Sequence, residues 1–445
     1  MRGVIKKLLA VVGLTALPFL GLAAPAHAAV FDLSAESGTI SAPDGAQLYM
    51  WGFTTAGGDF RYPGPVLTVN EGEVVTVNLT NNLPDTDGAG PNAADPVSML
   101  FTGQENVQIS RDGGATWNPV LPAFQTDGER GSLRSMSSDA LPGETVSYKF
   151  TATHPGTFSY YSGTMPHKHV DMGLIGALVV RPTTWQTGDP AMPYRAYNTT
   201  GSEYQYEVIQ LYSAVDPSQH ARVQRGLPYQ HLAYLPEYWF INGRSFPDTL
   251  AGNNVGYLTS QPMGALIAMY PGERILMRLV TFDQDLHPLH SHGNHAFVVG
   301  RNGRPLSSDG INGDLVIEEY TQVIHPGDSQ DSIFTWDAPN EDFGFDIYGL
   351  DPAAPSPVDV LPLDNAPNTR LMWGELYSGS PYLGQSADLP PGDAAVNMNQ
   401  MGEMYVPFHT HHEIELQNQG EGPGGMLTLI MICDPAGPCP HSPTP

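Results

Sequence analysis

The sequence predicts an all-β protein built of two β-sandwich domains, and three observations carry that expectation. Segments 47–53 (QLYMWGF), 66–83 (VLTVNEGEVVTVNLTNNL) and 145–152 (TVSYKFTA) are rich in β-branched residues, alternate apolar with polar, and are punctuated by turn residues. No comparable stretch sustains a 3.6-residue period. The second half repeats the first. Abundant turn formers, 48 Gly and 41 Pro, fit many short strands joined by tight connections.

The repeat justifies the elements in order. The first paired strands, 66–83 around an EGE turn, correspond to 265–281 (ALIAMYPGERILMRLVT) around a PGE turn. Segment 141–152 (LPGETVSYKFTA) corresponds to 325–338 (HPGDSQDSIFTWDA), and the closing strand 174–180 (LIGALVV) to 426–432 (MLTLIMI). The boundary falls in 181–193 (RPTTWQTGDPAMP), giving domains over 29–182 and 183–445. Residues 339–402 have no counterpart in the first half; this Pro-rich, acidic insertion leads into a histidine-bearing strand and is either a lid or a surface excursion.

Residues 1–28 read as an export signal. Arg2, Lys6 and Lys7 precede an apolar run from about Leu8 to Ala24, and Ala26-His27-Ala28 forms an A-x-A cleavage pattern. The run is short and holds Pro18, which argues against an anchor. No later stretch approaches the roughly 18–20 apolar residues that span a bilayer. Net charge is −27, so nucleic acid and anionic lipid are poor partners and cations good ones. The two cysteines, Cys433 and Cys439, close a short Pro/Gly loop and are expected to form a terminal disulfide rather than a metal site.

Histidine placement carries the chemistry. Seven of fifteen histidines fall in two runs: HPLHSHGNH (His287, His290, His292, His295) and HTHHE (His409, His411, His412). Residues two apart on a strand share a face, so adjacent strands bearing His290/His292 and His409/His411 would converge four imidazoles. Neutral imidazole suits copper and zinc. A chance cluster or core hydrogen bonding is the plainer reading, and two His-x-His pairs weigh against it. In the repeat, Leu100 and Thr102 stand opposite His290 and His292, and Tyr161 and Gly163 opposite His409 and His411. The site therefore belongs to the second domain.

Segments 62–84 (YPGPVLTVNEGEVVTVNLTNNLP), 154–182 (HPGTFSYYSGTMPHKHVDMGLIGALVVRP), 238–250 (YWFINGRSFPDTL) and HPLHSHG resemble the cupredoxin domains of multicopper oxidases. The resemblance covers most of the mature chain apart from the insertion, and HPLHSHG is its most specific part. It implies two cupredoxin-like Greek-key β-sandwiches. It also implies that His287 matches a type 1 copper ligand, that His290 and His292 match ligands of the trinuclear cluster, and that His409 and His411 match the pair flanking the type 1 cysteine.

The departures are large. Thr410 stands where that cysteine belongs, and Glu415 falls near the downstream type 1 histidine. Without a thiolate there is no His₂Cys blue centre. The first-domain ligand motifs read MLFTG and YYSG. What remains is a mononuclear site: His290, His292, His409 and His411 around Cu²⁺ at ~2.0 Å, pale and type 2-like, or around Zn²⁺. His287 joins the candidate ligand set through the resemblance. His412 is expected to face away, and Glu413 to share the ligand parity.

His167 and His169 form a third pair on an expected loop, and Met398, Met401 and Met404 lead into the His409 strand as soft Cu(I) donors or ordinary packing. No nucleophile elbow, phosphate loop or HExxH helix is present. The resulting expectation is an exported copper-binding protein serving copper handling or limited redox work. A divergent oxidase of a metal ion or small reductant, and a non-catalytic structural or interaction protein, are the alternatives; a homo-oligomer is left open.

Overall fold

The computed structural model describes residues 28–84, 95–124, 133–270, 272–336, 388–389, 394–397, 404–433 and 438–441. Residues 1–27, most of 339–402, Met398 and Met401 lie outside them, as does the side chain of Met404.

Four main sheets make two sandwiches. In the first, a six-stranded sheet runs Gln47–Thr55, Ala28–Ser41, Val74–Asn81, Thr145–Thr151, Gln108–Ser110, Asn118–Pro119. It faces a sheet ordered Leu67–Asn70, Ile175–Arg181, Gly156–Tyr161, Leu100–Phe101. In the second, a seven-stranded sheet is centred on Tyr206–Val215, Arg274–Thr281, Ser329–Thr335 and Ala296–Arg301. Its partner is ordered Ile267–Met269, Leu427–Ile432, Met404–Thr410, His287–Ser291, Thr321–Ile324. The repeat is topological: Ile175–Arg181 runs parallel to Leu67–Asn70 as Leu427–Ile432 does to Ile267–Met269. The fold is thus all-β, with two cupredoxin-like sandwich domains.

Strand Val74–Asn81 shows why these residues form strands. Val75, Val77, Leu79 and Asn81 are buried while Val74, Thr76, Asn78 and Thr80 face outward, the period-two pattern of a sheet covered on one face. Its counterpart Arg274–Thr281 is buried on both faces beyond its first residue. The cause is the domain interface. Arg278, 1 % exposed, bonds Glu207, and it donates to Thr157 Oγ1 at 2.9 Å across the seam. Thr157 Oγ1 in turn donates to Asp331 Oδ1 at 2.5 Å. Apolar residues of both sandwiches, among them Met50, Ile175, Leu211 and Phe240, share one core cluster. Backbones meet closely at Gly156 and Gly303: a Cβ on Gly303, at φ 68°, would lie 2.0 Å from Phe158.

Two short helices were not legible from periodicity. Pro217–Gln224 is capped by Asp216, which accepts from the Ser218 and Gln219 N–H groups, and Pro166–Met172 replaces the loop expected around His167 and His169. Among the described residues no helix is long and apolar enough to cross a membrane. Cys433 and Cys439 are joined by a disulfide.

Candidate metal centre

Strands His287–Ser291 and Met404–Thr410 are antiparallel neighbours with His290 opposite His409. Their alternation assigns the side chains. Leu289, Ser291, Phe408 and Thr410 point into the sandwich and are 0 % exposed, while His290 and His409 lie on the outer face. The ladder continues past both strand ends, His292 N donating to Pro407 O and His411 N to Pro288 O. That continuation keeps His292 and His411 beside their partners.

The four imidazoles form one cluster. Ring centroids lie 4.9 Å apart for His290–His292 and for His290–His411, 5.2 Å for His292–His409 and 5.3 Å for His409–His411. The Nε2 atoms of His292 and His409 are 3.0 Å apart. Two nitrogens bound to one ion at ~2.0 Å would be separated by ~2.8–3.3 Å, so this pair already fits a shared metal. His409 Nδ1 lies 2.6 Å from the Thr410 carbonyl and His290 Nδ1 lies 2.8 Å from Thr321 Oγ1. With both Nδ1 atoms occupied, Nε2 is the atom each ring presents to an ion. Burial, then the neighbouring histidines, lowers the pKa of His290 and His292 to about 4; burial also lowers that of His409. Neutral rings are the ligating form. Among the described residues no three or more His, Cys, Asp or Glu side chains are set as a ready-made metal cage. His290 packs edge to face on the other three rings, while His409 is tilted by 46° to His292 and by 43° to His411.

His287 does not join them. Three residues before His290, it takes the opposite strand face and is 0 % exposed. Its Nε2 lies 2.8 Å from Asp283 Oδ2 and its Nδ1 2.9 Å from Glu415 Oε2. Burial opposes the charged ring, yet Asp283 and then Glu415 push its pKa up to about 10. Burial would likewise raise Glu415, but hydrogen bonds from His287, Thr410 and His412 hold it below the ordinary range. Both ring nitrogens are thus bonded to buried carboxylates on the opposite strand face, which sets His287 apart from the four-imidazole cluster.

The neighbours also differ from strict strand parity. The strand ends at Thr410, and 413–415 form a turn of 3₁₀ helix. Glu413 lies 3.2 Å from His411 Nδ1, and His412, half exposed, reaches Glu415 at 2.9 Å. Tyr320 packs on His290 and on His295, with centroids 4.6 and 4.7 Å away. Sequence reasoning missed Asp283, Tyr320 and Thr321; nothing in their local pattern marks them.

In the first domain, Leu100 pairs Tyr161 as His290 pairs His409, so the equivalent position carries no imidazole. His169 is buried with Nδ1 2.8 Å from Ser162 Oγ, and burial lowers its pKa to about 3. His167 faces His231, with centroids 5.2 Å apart.

The fold is that of two cupredoxin-like sandwiches. No protein-family model matches the chain. It is 35% identical over 127 residues to L-ascorbate oxidase of Cucurbita pepo var. melopepo, covering 27% of this chain and 17% of that enzyme. This curated relative is thus matched over under a fifth of its length. Among solved structures, a multicopper oxidase matches at TM-score 0.54 and 19% identity, covering 92% of this chain and 87% of the other. The blue copper oxidase from Nitrosomonas europaea matches at 0.53 and 20%, covering 91% and 86%. The chain shares the fold of these copper oxidases along nearly its whole length.

Proposed function

We propose that this is an exported copper-binding protein with one type 2-like copper on its second domain and no type 1 copper, acting in copper handling or limited redox chemistry. The signal occupies 1–28, a ligand-free domain 29–182, and the metal-bearing domain 183–445. His290, His292, His409 and His411 would hold the ion. Imidazole-bound copper supplies one-electron chemistry without the intense colour of a thiolate centre. The carrying observation is the four-imidazole cluster with its 3.0 Å pair of Nε2 atoms. Thr321 and the Thr410 carbonyl orient two of the rings, and Tyr320 covers one side of His290.

Copper is favoured over zinc by the similar structures, a multicopper oxidase and a blue copper oxidase. A four-electron oxidase is disfavoured by Leu100, Thr102, Tyr161 and Gly163, which stand at the equivalent positions of the first domain and supply no imidazole.

The test is elemental analysis of copper-reconstituted, dialysed full-length protein, with optical and EPR spectra on the same sample. About one copper per chain, a type 2 signal and no intense blue band are expected, and His290→Ala with His411→Ala should abolish retention. A blue band, zinc retained in preference to copper, or copper unaffected by the double substitution would each overturn the reading.

A further inference from the structure

A cavity lies at the seam between the sandwiches, around Arg61. Among the described residues, Arg134, Arg181, Arg195, Arg278 and Arg301 each reach a carboxylate, and Arg222, Arg244 and Arg274 reach backbone carbonyls. Half-buried Arg61 has no such partner, and its Nε is buried without a hydrogen bond. In a chain of 46 acidic and 19 basic residues an unpaired, partly desolvated guanidinium is conspicuous, because desolvation makes a lone charge costly.

The backbone that carries Arg61 is firmly seated. A Cβ on Gly52 would come within 2.5 Å of the Arg61 carbonyl, so the two backbones are in close contact. The next residue, Tyr62, bonds the second domain twice, through N–H to Ser260 O at 2.8 Å and through its hydroxyl to Ser213 Oγ at 2.7 Å.

Arg61 lines a cavity of about 300 Å³, walled by Pro65 and Val66 of the first domain and by Asn253, Pro262 and Met263 of the second. That volume lies at the small end of ligand sites. Asn253 Oδ1 accepts from Gly264 N at 2.7 Å, which leaves its amide NH₂ as the group free to donate. The one carboxylate on the wall, Glu207, is already shared by Arg278, Arg181 and Tyr204. The polar side chains left over are the Arg61 guanidinium, the Asn253 NH₂ and the Asn254 amide, and the rest of the wall is largely apolar.

We propose that this cavity binds a small organic carboxylate, its charge on Arg61 and its apolar body against Pro65, Val66, Pro262 and Met263. A guanidinium fork matches a carboxylate with two parallel N–H···O bonds. An inorganic anion would leave the apolar walls unused.

The test is calorimetric titration of the chelator-treated full-length chain with benzoate, benzamide and inorganic phosphate as probes. Benzoate should bind at least ~tenfold more tightly than benzamide, and Arg61→Gln should remove that advantage, a change of about 1.4 kcal/mol per tenfold. Asn253→Asp, in an exposed loop, adds a negative charge to the same wall and should weaken benzoate without altering thermal stability; it keeps the test decisive if Arg61→Gln fails to fold. Equal binding of benzoate and benzamide, no effect of either substitution, or phosphate binding more tightly than benzoate would each overturn the assignment. Metal-free protein is used throughout, so the copper reading stands or falls separately.

Discussion

His287, Thr410 and Glu415 occupy the three places where the family resemblance expects His, Cys and His around type 1 copper, and here they bond to one another. Glu415 accepts from His287 at 2.9 Å, Thr410 at 2.6 Å and His412 at 2.9 Å, with Asp283 closing the far side of the ring. A protonated imidazole thus supplies the positive charge among these buried carboxylates. The sign of its pH dependence follows. The pKa of His287 is raised to about 10, so its stabilising contribution is complete below the unfolded value near 6.5 and is lost as pH rises through the folded one. Melting temperature should therefore fall between about pH 7 and pH 10. Glu415→Gln should flatten that fall and cost about 3–5 kcal/mol at neutral pH, the usual penalty for breaking a buried pair; an unchanged slope in denaturation curves would refute the assignment. A second prediction reverses the substitutions. His287 Nδ1 and Thr410 Oγ1 both bond Glu415 Oε2, so Thr410→Cys with Glu415→His assembles a His₂Cys donor set. Copper-loaded double variant should show an intense blue absorption that the parent lacks.

Strand alternation separates the two histidine groups, and it was legible in advance. His287 and His290 are three apart and must face opposite ways on one strand; the family resemblance overrode that parity and placed His287 among the ligands. Parity also explains how His290 comes to lie opposite His409, since both are outward residues of neighbouring strands. It holds through His411 and no longer applies at 413–415, where the chain turns into 3₁₀ helix, although Glu413 still lies 3.2 Å from His411 Nδ1. The short helices were missed because seven or eight residues hold too few turns for a period, although Pro166, Pro217 and the Asp216 cap were visible start signals. One element-scale device is Gly293, in the bend that carries His292. Its φ is 85°, and a Cβ there would lie 2.3 Å from Trp336. Gly293→Ala should cost about 1–3 kcal/mol from backbone strain and overpacking, and should lower retained copper because His292 shifts. Gly72 has nearly the same φ, 84°, with nothing within 4 Å of its added Cβ. Gly72→Ala is the control, expected to leave copper content intact.

At the scale of the molecule the repeat was readable because equivalent strands keep similar turn chemistry, EGE against PGE, and the same place in each sheet. The seam between the copies was not readable. Arg278 in RILMRLV looks like an outward, solvated residue of an alternating strand, and only docking of the first domain buries it. Its partners come from far along the chain: Glu207 in one neighbouring strand, Asp331 directly opposite it in the other, and Thr157 in the other domain. Asp331 is also held by the Tyr197 hydroxyl at 2.6 Å. The charges are mutually compensated while the set is whole, and removing one leaves Arg278 underpaired in a dry interface. Asp331→Asn keeps the shape and deletes the charge, so about 3–5 kcal/mol should be lost. Because the network joins the domains to each other, the loss should fall on their coupling: the parent should unfold in one calorimetric transition and the variant in two. Copper retention should be unchanged, since neither Asp331 nor Arg278 belongs to the imidazole cluster. A variant that keeps a single transition at nearly the parent temperature would show that the shared apolar core of Met50, Ile175, Leu211 and Phe240 couples the domains without help from the charges.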